Sequence, residues 1–186
     1  MRVISGKKKG LQLKAVPGQT TRPTTDKVKE SIFNMIGPYF DGGRILDLYG
    51  GSGAISIEAL SRGVEEAIIV DRDRKAIETI HTNLKLCRLE QQAQVFRTEA
   101  GRALKALQKQ EKKFTLIFLD PPYQKQRLSE ELAYIAEHQL LSRDGQAVVE
   151  HALTVSLSDS YGSLHKRREE KYGDTVIAIY SEEDEQ

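Results

Sequence analysis

A single cysteine, Cys87, leaves this chain neither an intramolecular disulfide nor a multi-cysteine zinc site. Set near the end of an expected helix, Cys87 reads as a small buried apolar group. The four histidines, His81, His138, His151 and His165, are scattered without metal-ligand spacing and read as surface or packing residues, so no metal is expected. No apolar run approaches the length of a membrane span and no signal peptide is visible, which sets the expectation of a cytoplasmic protein. Internal repeats and low-complexity segments are also missing. Acid is absent from the opening stretch, where Arg2, Lys7, Lys8, Lys9, Lys14 and Arg22 all precede the first carboxylate, Asp26. The net charge of +1 hides this segregation, because residues 182–186 form an acidic tail. With 186 residues, 30% charged and 39% hydrophobic, the chain has the size and composition of one domain, 1–186, with a single sizeable core.

The stretch Arg44-Ile45-Leu46-Asp47-Leu48-Tyr49-Gly50-Gly51-Ser52-Gly53 organises the rest. Ile45, Leu46 and Leu48 read as the end of a buried parallel strand with Asp47 set among them. The glycines break the strand, and Ala54-Ile55-Ser56-Ile57-Glu58-Ala59-Leu60 resumes with helical spacing. Strand, glycine turn and helix together make the cofactor crevice of an open α/β sheet. The turn is not the dinucleotide fingerprint G-x-G-x-x-G, since Ser56 stands where the third glycine belongs, and this disfavours a nicotinamide oxidoreductase.

Ahead of this core, residues 2–5 and 11–15 are two short strand-like runs. Lys7-Lys8-Lys9-Gly10 between them is the tip of an expected N-terminal hairpin within a basic extension, 1–22. Such a tip suits phosphate contacts on nucleic acid, and a solvated lysine loop has the same composition. Thr24 or Thr25 can cap a following helix whose stripe is Val28, Ile32, Phe33, Met35 and Ile36, ended by Gly37-Pro38. After the glycine turn and its helix, 67–70 reads as a second parallel strand ending in Asp71. An acid there either accepts from the hydroxyls of a cofactor ribose or caps the helix expected over 72–87. A third strand at 93–96 precedes Glu99, and a helix runs on to about 110. The fourth strand is 114–119, followed by a helix near 129–138, a strand at 146–150 and an antiparallel pair between 164 and 180. This order predicts an α/β fold with a seven-stranded, mostly parallel sheet whose last strand is antiparallel, plus the N-terminal β-hairpin.

The fourth strand runs directly into Asp120-Pro121-Pro122-Tyr123. Two prolines stop the sheet and fix a rigid extended loop, beside the glycine turn in the expected topology. A carboxylate, a proline carbonyl and an aromatic ring are thereby presented together. Methylating an exocyclic base amine requires that its nitrogen be aimed at the methyl donor. Asp120 and the Pro121 carbonyl can accept from the two N–H groups, while Tyr123 stacks on the base. Asp120 can also take the departing proton. The same tetrapeptide could serve as a plain strand-terminating turn.

The two motifs in this order resemble the class I S-adenosylmethionine (SAM) methyltransferases, and the tetrapeptide resembles the [D/N/S]-P-P-[Y/F] mark of their amino-methyltransferases. Over nearly its full length the chain is similar to the family that methylates N2 of guanine 966 in small-subunit (16S) rRNA. The similarity rests on Arg2-Val3-Ile4-Ser5-Gly6, on Arg22-Pro23-Thr24-Thr25-Asp26-Lys27-Val28-Lys29-Glu30, on the Asp47 to Gly53 turn, on Phe118-Leu119-Asp120-Pro121-Pro122-Tyr123 and on Lys171-Tyr172-Gly173-Asp174. The resemblance implies a Rossmann-like class I fold with SAM as cofactor. It places Asp47 at the methionine end, Tyr49, Gly51 and Gly53 along the turn, Asp71 at the ribose, and Glu99 with Ala100 at the adenine. It makes 16S rRNA or an assembling 30S particle the partner. Arg2, Lys7, Lys8, Lys9, Arg22 and Asp26 would then face RNA, and Asp120, Pro121 and Tyr123 would carry catalysis. Arg22 and Asp26 have plain alternatives as a loop anchor and a helix-cap carboxylate. The departures are Tyr49-Gly50 where Phe-Ala is frequent, and Glu99 for Asp.

Overall fold

The computed structural model describes residues 1–19, 24–122 and 126–183. The chain divides into two compact units, Met1–Ala100 and Gly101–Gln186.

In the first unit, an N-terminal strap precedes helix α1 (Asp26–Ile36), strand β1 (Arg44–Asp47), helix α2 (Ala54–Ser61), strand β2 (Glu66–Asp71), helix α3 (Arg74–Cys87) and strand β3 (Ala93–Arg97). The strands lie in the order β3-β2-β1, all parallel, with Ile45 opposite Ala67 and Val70 opposite Phe96. Ile45, Leu46, Ile68 and Ile69 are buried, as a parallel sheet with helices packed on it requires. Thr25, not Thr24, caps α1, its side chain accepting from the Val28 N–H at 3.3 Å. The strap is a hairpin in reduced form. It has one bridge, Arg2 to Gln12, supported by the Val3 N–H to Leu11 O and Gly10 N–H to Val3 O bonds.

In the second unit, helix α4 (Ala100–Lys109, entering from the first), strand β4 (Phe114–Leu119), helix α5 (Leu128–Glu137) and strands β5 (Leu141–Ala152), β6 (Ser160–Tyr161), β7 (Leu164–Tyr172) and β8 (Thr175–Glu182) follow. Their order is β4-β5-β8-β7-β6, with β4 and β5 parallel and the other pairings antiparallel. Eight strands are present among the described residues where seven are expected. The extra one is β6, which folds back on Leu164 and His165 through the Gly162-Ser163 turn. Two residues are too few to show an alternating pattern. Glu182, expected in the tail, is the last residue of β8, and 184–186 lie outside the described residues.

Candidate active site

The glycine turn is built from β1, β2 and the start of α2. Gly50 N–H donates to Val70 O at 2.8 Å and Gly53 N–H to Gly50 O at 2.8 Å, so the turn is tied to the neighbouring strand and to itself. Gly51 sits at φ +55 with open space where a Cβ would stand, leaving bare backbone available to a ligand. Gly53 is the left-handed residue that launches α2, and Tyr49 is half-buried ahead of the turn.

Asp47 is buried at 1% exposure. The Ser56 hydroxyl donates to its Oδ2 at 2.9 Å, while its buried Oδ1 has no hydrogen-bond partner among the described residues. Burial, opposed by the Ser56 bond and by a Tyr49 backbone hydrogen bond and reinforced by the nearby Asp71 charge, pushes the Asp47 carboxyl up to about 7. An acid with one oxygen engaged and the other unused suits a cationic group arriving from outside. Asp71 has a bracing part as well as an acceptor's chemistry. Its Oδ2 accepts the Gly51 N–H at 2.9 Å and its Oδ1 the Asp73 N–H at 2.9 Å. The helix-cap alternative passes to Asp73, whose side chain accepts from the Lys75 N–H at 3.1 Å. Glu99 is exposed, and Ala100 is the buried first residue of α4.

The strap is held by charges that the sequence reading did not single out. Glu58, on the buried helix α2, is fully enclosed and accepts the Ile4 N–H at 2.9 Å and the Ser5 N–H at 3.1 Å. Lys29 lies 3.3 Å from the same carboxylate and donates to Arg2 O at 2.6 Å, and Arg62 Nε reaches Glu58 at 2.8 Å. Burial lowers the Lys29 ammonium below its usual range, with Glu58 opposing the shift. Gly6 lies so close to α2 that a Cβ would fall 1.9 Å from Ser61 O, at φ +84. Next to it, Lys7 N–H donates to Ser61 O at 2.8 Å and Lys8 N–H to Ser61 Oγ at 2.9 Å. The lysine tip is therefore anchored by backbone, with Lys7 and Lys9 exposed and Lys8 half-buried. Arg2 pairs with Asp26 at 3.3 Å, so these two residues neutralise each other at the start of α1. Arg22 lies outside the described residues.

Asn83 on α3 joins strap and turn. Its Oδ1 accepts the Lys14 N–H at 2.8 Å, and its Nδ2 donates to Lys14 O at 2.9 Å and to Ser52 O at 2.8 Å. The signal for Glu58 and Asn83 was a polar residue on a buried helical face, which is meaningful only when its partners are known.

In the second unit, Asp120 follows β4 half-buried, Pro121 is buried and Pro122 exposed; Tyr123 lies outside the described residues. Leu119 pairs with Val149, so Asp120 leaves β4 level with Glu150, which is still within β5 and paired with Ile177 of β8. Pro121 lines a shallow recess with Gln126, Leu128, Glu150 and His151. Of the four histidines, His151 is buried, with Nδ1 2.9 Å from Ala152 O. A carbonyl only accepts, so Nδ1 donates this bond, and Nε2 has no hydrogen-bond partner among the described residues. No group that could hold a metal ion occurs among the described residues, and none of the described helices is long and apolar enough to cross a membrane.

A parallel strand feeding a glycine turn, an acid closing the next strand and an Asp-Pro-Pro exit from a later one define a class I SAM-dependent methyltransferase. The fold is the Rossmann-like one of that class, a mostly parallel sheet with antiparallel terminal strands, and the chain is an enzyme that uses SAM. It belongs to the family described as Conserved hypothetical protein 95, whose model matches residues 1–181. Among its relatives is YlbH of Bacillus subtilis (strain 168), provisionally named an rRNA methyltransferase, 60% identical over 97% of this chain and 98% of its own. Ribosomal RNA small subunit methyltransferase D of Escherichia coli (strain K12) is 27% identical over 98% of this chain and 90% of its own. The solved structure of yhhF from Escherichia coli, provisionally named a methyltransferase, matches with a TM-score of 0.82 and 28% identity, covering 100% of this chain and 99% of that one.

Proposed function

We propose that this enzyme methylates the exocyclic N2 amine of a guanine in small-subunit rRNA, guanine 966, in the cytoplasm during ribosome assembly. The observation that carries the reading is the exit from β4, where the half-buried Asp120 is followed by the buried Pro121 in a segment stiffened by two prolines, a carboxylate and a proline carbonyl in succession. An exocyclic amine has two N–H groups, and these two acceptors can hold both, orienting the nitrogen lone pair. Asp120 is also the group that would receive the proton released as the nitrogen is alkylated. Tyr123 is assigned the face of the guanine. The names of the relatives, which refer to rRNA, support the substrate class.

SAM supplies a methyl group already activated on a sulfonium. In this reading Asp47 takes its ammonium, the open backbone at Gly51, between Tyr49 and the buried Gly53, accommodates its methionine portion, Asp71 accepts from the ribose hydroxyls, and Glu99 with Ala100 borders the adenine. Lys7, Lys8 and Lys9 face RNA phosphates together with Arg22, while Arg2 and Asp26 set the edge of that surface as a pair.

Incubation with methyl-labelled SAM and, separately, naked 16S rRNA, 30S particles and DNA, followed by nucleoside analysis, tests this directly. Label in N2-methylguanosine from either ribosomal substrate is expected. Label in adenine or cytosine of DNA, or none in any substrate, overturns the proposal.

A further inference from the structure

Among the described residues Tyr39 is the most exposed large hydrophobic side chain, at 62%, in the loop between α1 and β1. Exposure of a ring usually goes with looseness, yet this one is fixed. Its hydroxyl is 2.8 Å from Ser5 Oγ on the strap. The Arg62 guanidinium, itself 4% exposed, lies 6.0 Å from the ring centroid, and Arg62 is held in turn by Glu58 and by a 3.1 Å bond from Nη1 to Pro38 O. The loop backbone is pinned as well, Phe40 N–H donating to Arg62 O at 2.9 Å and Gly42 N–H to Gly63 O at 3.0 Å.

Ser5 stands two residues before Lys7, so their Cα atoms are at most about 7 Å apart. The same Ser61 that takes the Lys7 and Lys8 N–H groups donates its hydroxyl to Ser5 O at 2.6 Å. Ring and lysine tip are thus parts of one stiff surface, an aromatic face beside clustered positive charge. Phosphates on lysines with a base on an aromatic ring is how proteins hold unpaired nucleotides.

We propose that Tyr39 is a stacking platform for an unpaired base of the RNA whose phosphates lie on Lys7 and Lys9; this rests on the RNA reading above. Stacking is sequence-tolerant and insensitive to salt, whereas phosphate contacts release counterions, so the two contributions separate in a salt titration.

The test measures binding of a fluorescently labelled single-stranded oligoribonucleotide to the full chain across a range of salt. Tyr39→Leu is expected to weaken binding roughly five- to 150-fold, the equivalent of 1–3 kcal/mol per stacked base, with an unchanged slope of log affinity against log salt. Tyr39→Phe, which keeps the ring, is expected to bind within about threefold of the parent. Replacing Lys7, Lys8 and Lys9 together by serine is expected to reduce the slope. The chain has no tryptophan, so Tyr39→Trp creates a lone reporter whose fluorescence should be quenched by the oligoribonucleotide and not by tripolyphosphate. If Tyr39→Leu binds like the parent while the lysine variant is weakened, the platform is disproved and the RNA reading stands. Failure of the parent to bind RNA at all overturns both.

Discussion

The Ser56 hydroxyl, on the first turn of α2, donates to the Asp47 carboxylate at 2.9 Å, so the helix that follows the glycine turn holds the acid that precedes it. Only one carboxylate oxygen is satisfied by this bond, and the other is enclosed without a partner among the described residues. The ligand-free protein thus carries an acid poorly solvated for its charged form, and the next two expectations follow from that.

Asp47→Asn should stabilise the ligand-free protein and weaken SAM binding together. The fold raises Asp47 from 3.8 to about 7, so the folded chain keeps a proton that the unfolded chain releases across that window. Stability from this group therefore falls as pH rises from about 4 to 7, and the whole penalty, on the order of 4 kcal/mol at most, applies above 7. Removing the charge should recover part of it, a gain of roughly 1–3 kcal/mol or about 3–10 °C in Tm at pH 8 that shrinks toward pH 5. Thermal unfolding at both pH values checks this; equal shifts would show that the charge is not responsible.

SAM affinity should itself depend on pH. If the charged Asp47 carboxylate receives the cofactor's ammonium, binding must first remove the proton held below about 7. Affinity should fall close to tenfold per pH unit below 7 and level off above it, with protons released on binding. Calorimetry in buffers of different ionisation enthalpy measures both, and a flat profile between pH 6 and 8 would contradict the assignment.

Asp120→Ala should leave SAM binding within about threefold of the parent while methyl transfer drops by roughly 100-fold or more, the usual scale for losing a positioned acid–base or orienting group. Single-turnover methylation beside equilibrium SAM titration separates the two. Parallel loss of both would move Asp120 out of the chemistry.

Glu58→Gln should destabilise the chain by about 3–5 kcal/mol, because Lys29 and Arg62 would be left as buried charges without their counterion. Lys29→Met should be milder, since Glu58 keeps Arg62 and the strap N–H groups. Denaturant midpoints of the two variants decide it, and a Lys29→Met loss as large as that of Glu58→Gln would reverse the assigned importance.

The central strands were readable because burial on both sides gives apolar runs that leave little choice. Strand β4 at 114–119 matches its expected bounds for that reason. Strand β5, expected over 146–150, extends over Leu141–Ala152; its start is hidden because Ser142-Arg143-Asp144-Gly145 have the composition of a turn. They form an irregularity in the ladder, where the register shifts between Phe114 and Leu116 and Asp144 takes φ 61. Asp47 and Asp71 were legible from their places at strand ends. Glu58, Asn83 and His151 were not, because each depends on partners distant in sequence: Glu58 on Ile4 and Ser5, Asn83 on Lys14. Local pattern carries no information about such pairings.

Because one enclosed carboxylate is shared by two cations and two amides of the strap, the first residues behave as core and not as an appendage. Amide protons of Ile4 and Ser5, bonded to Glu58, are expected to exchange slowly. Trimming a clone to begin at β1, a common way to obtain a minimal catalytic fragment, would open that interior to water. Grafting the basic tip onto another scaffold would likewise have to bring α1 and α2 along.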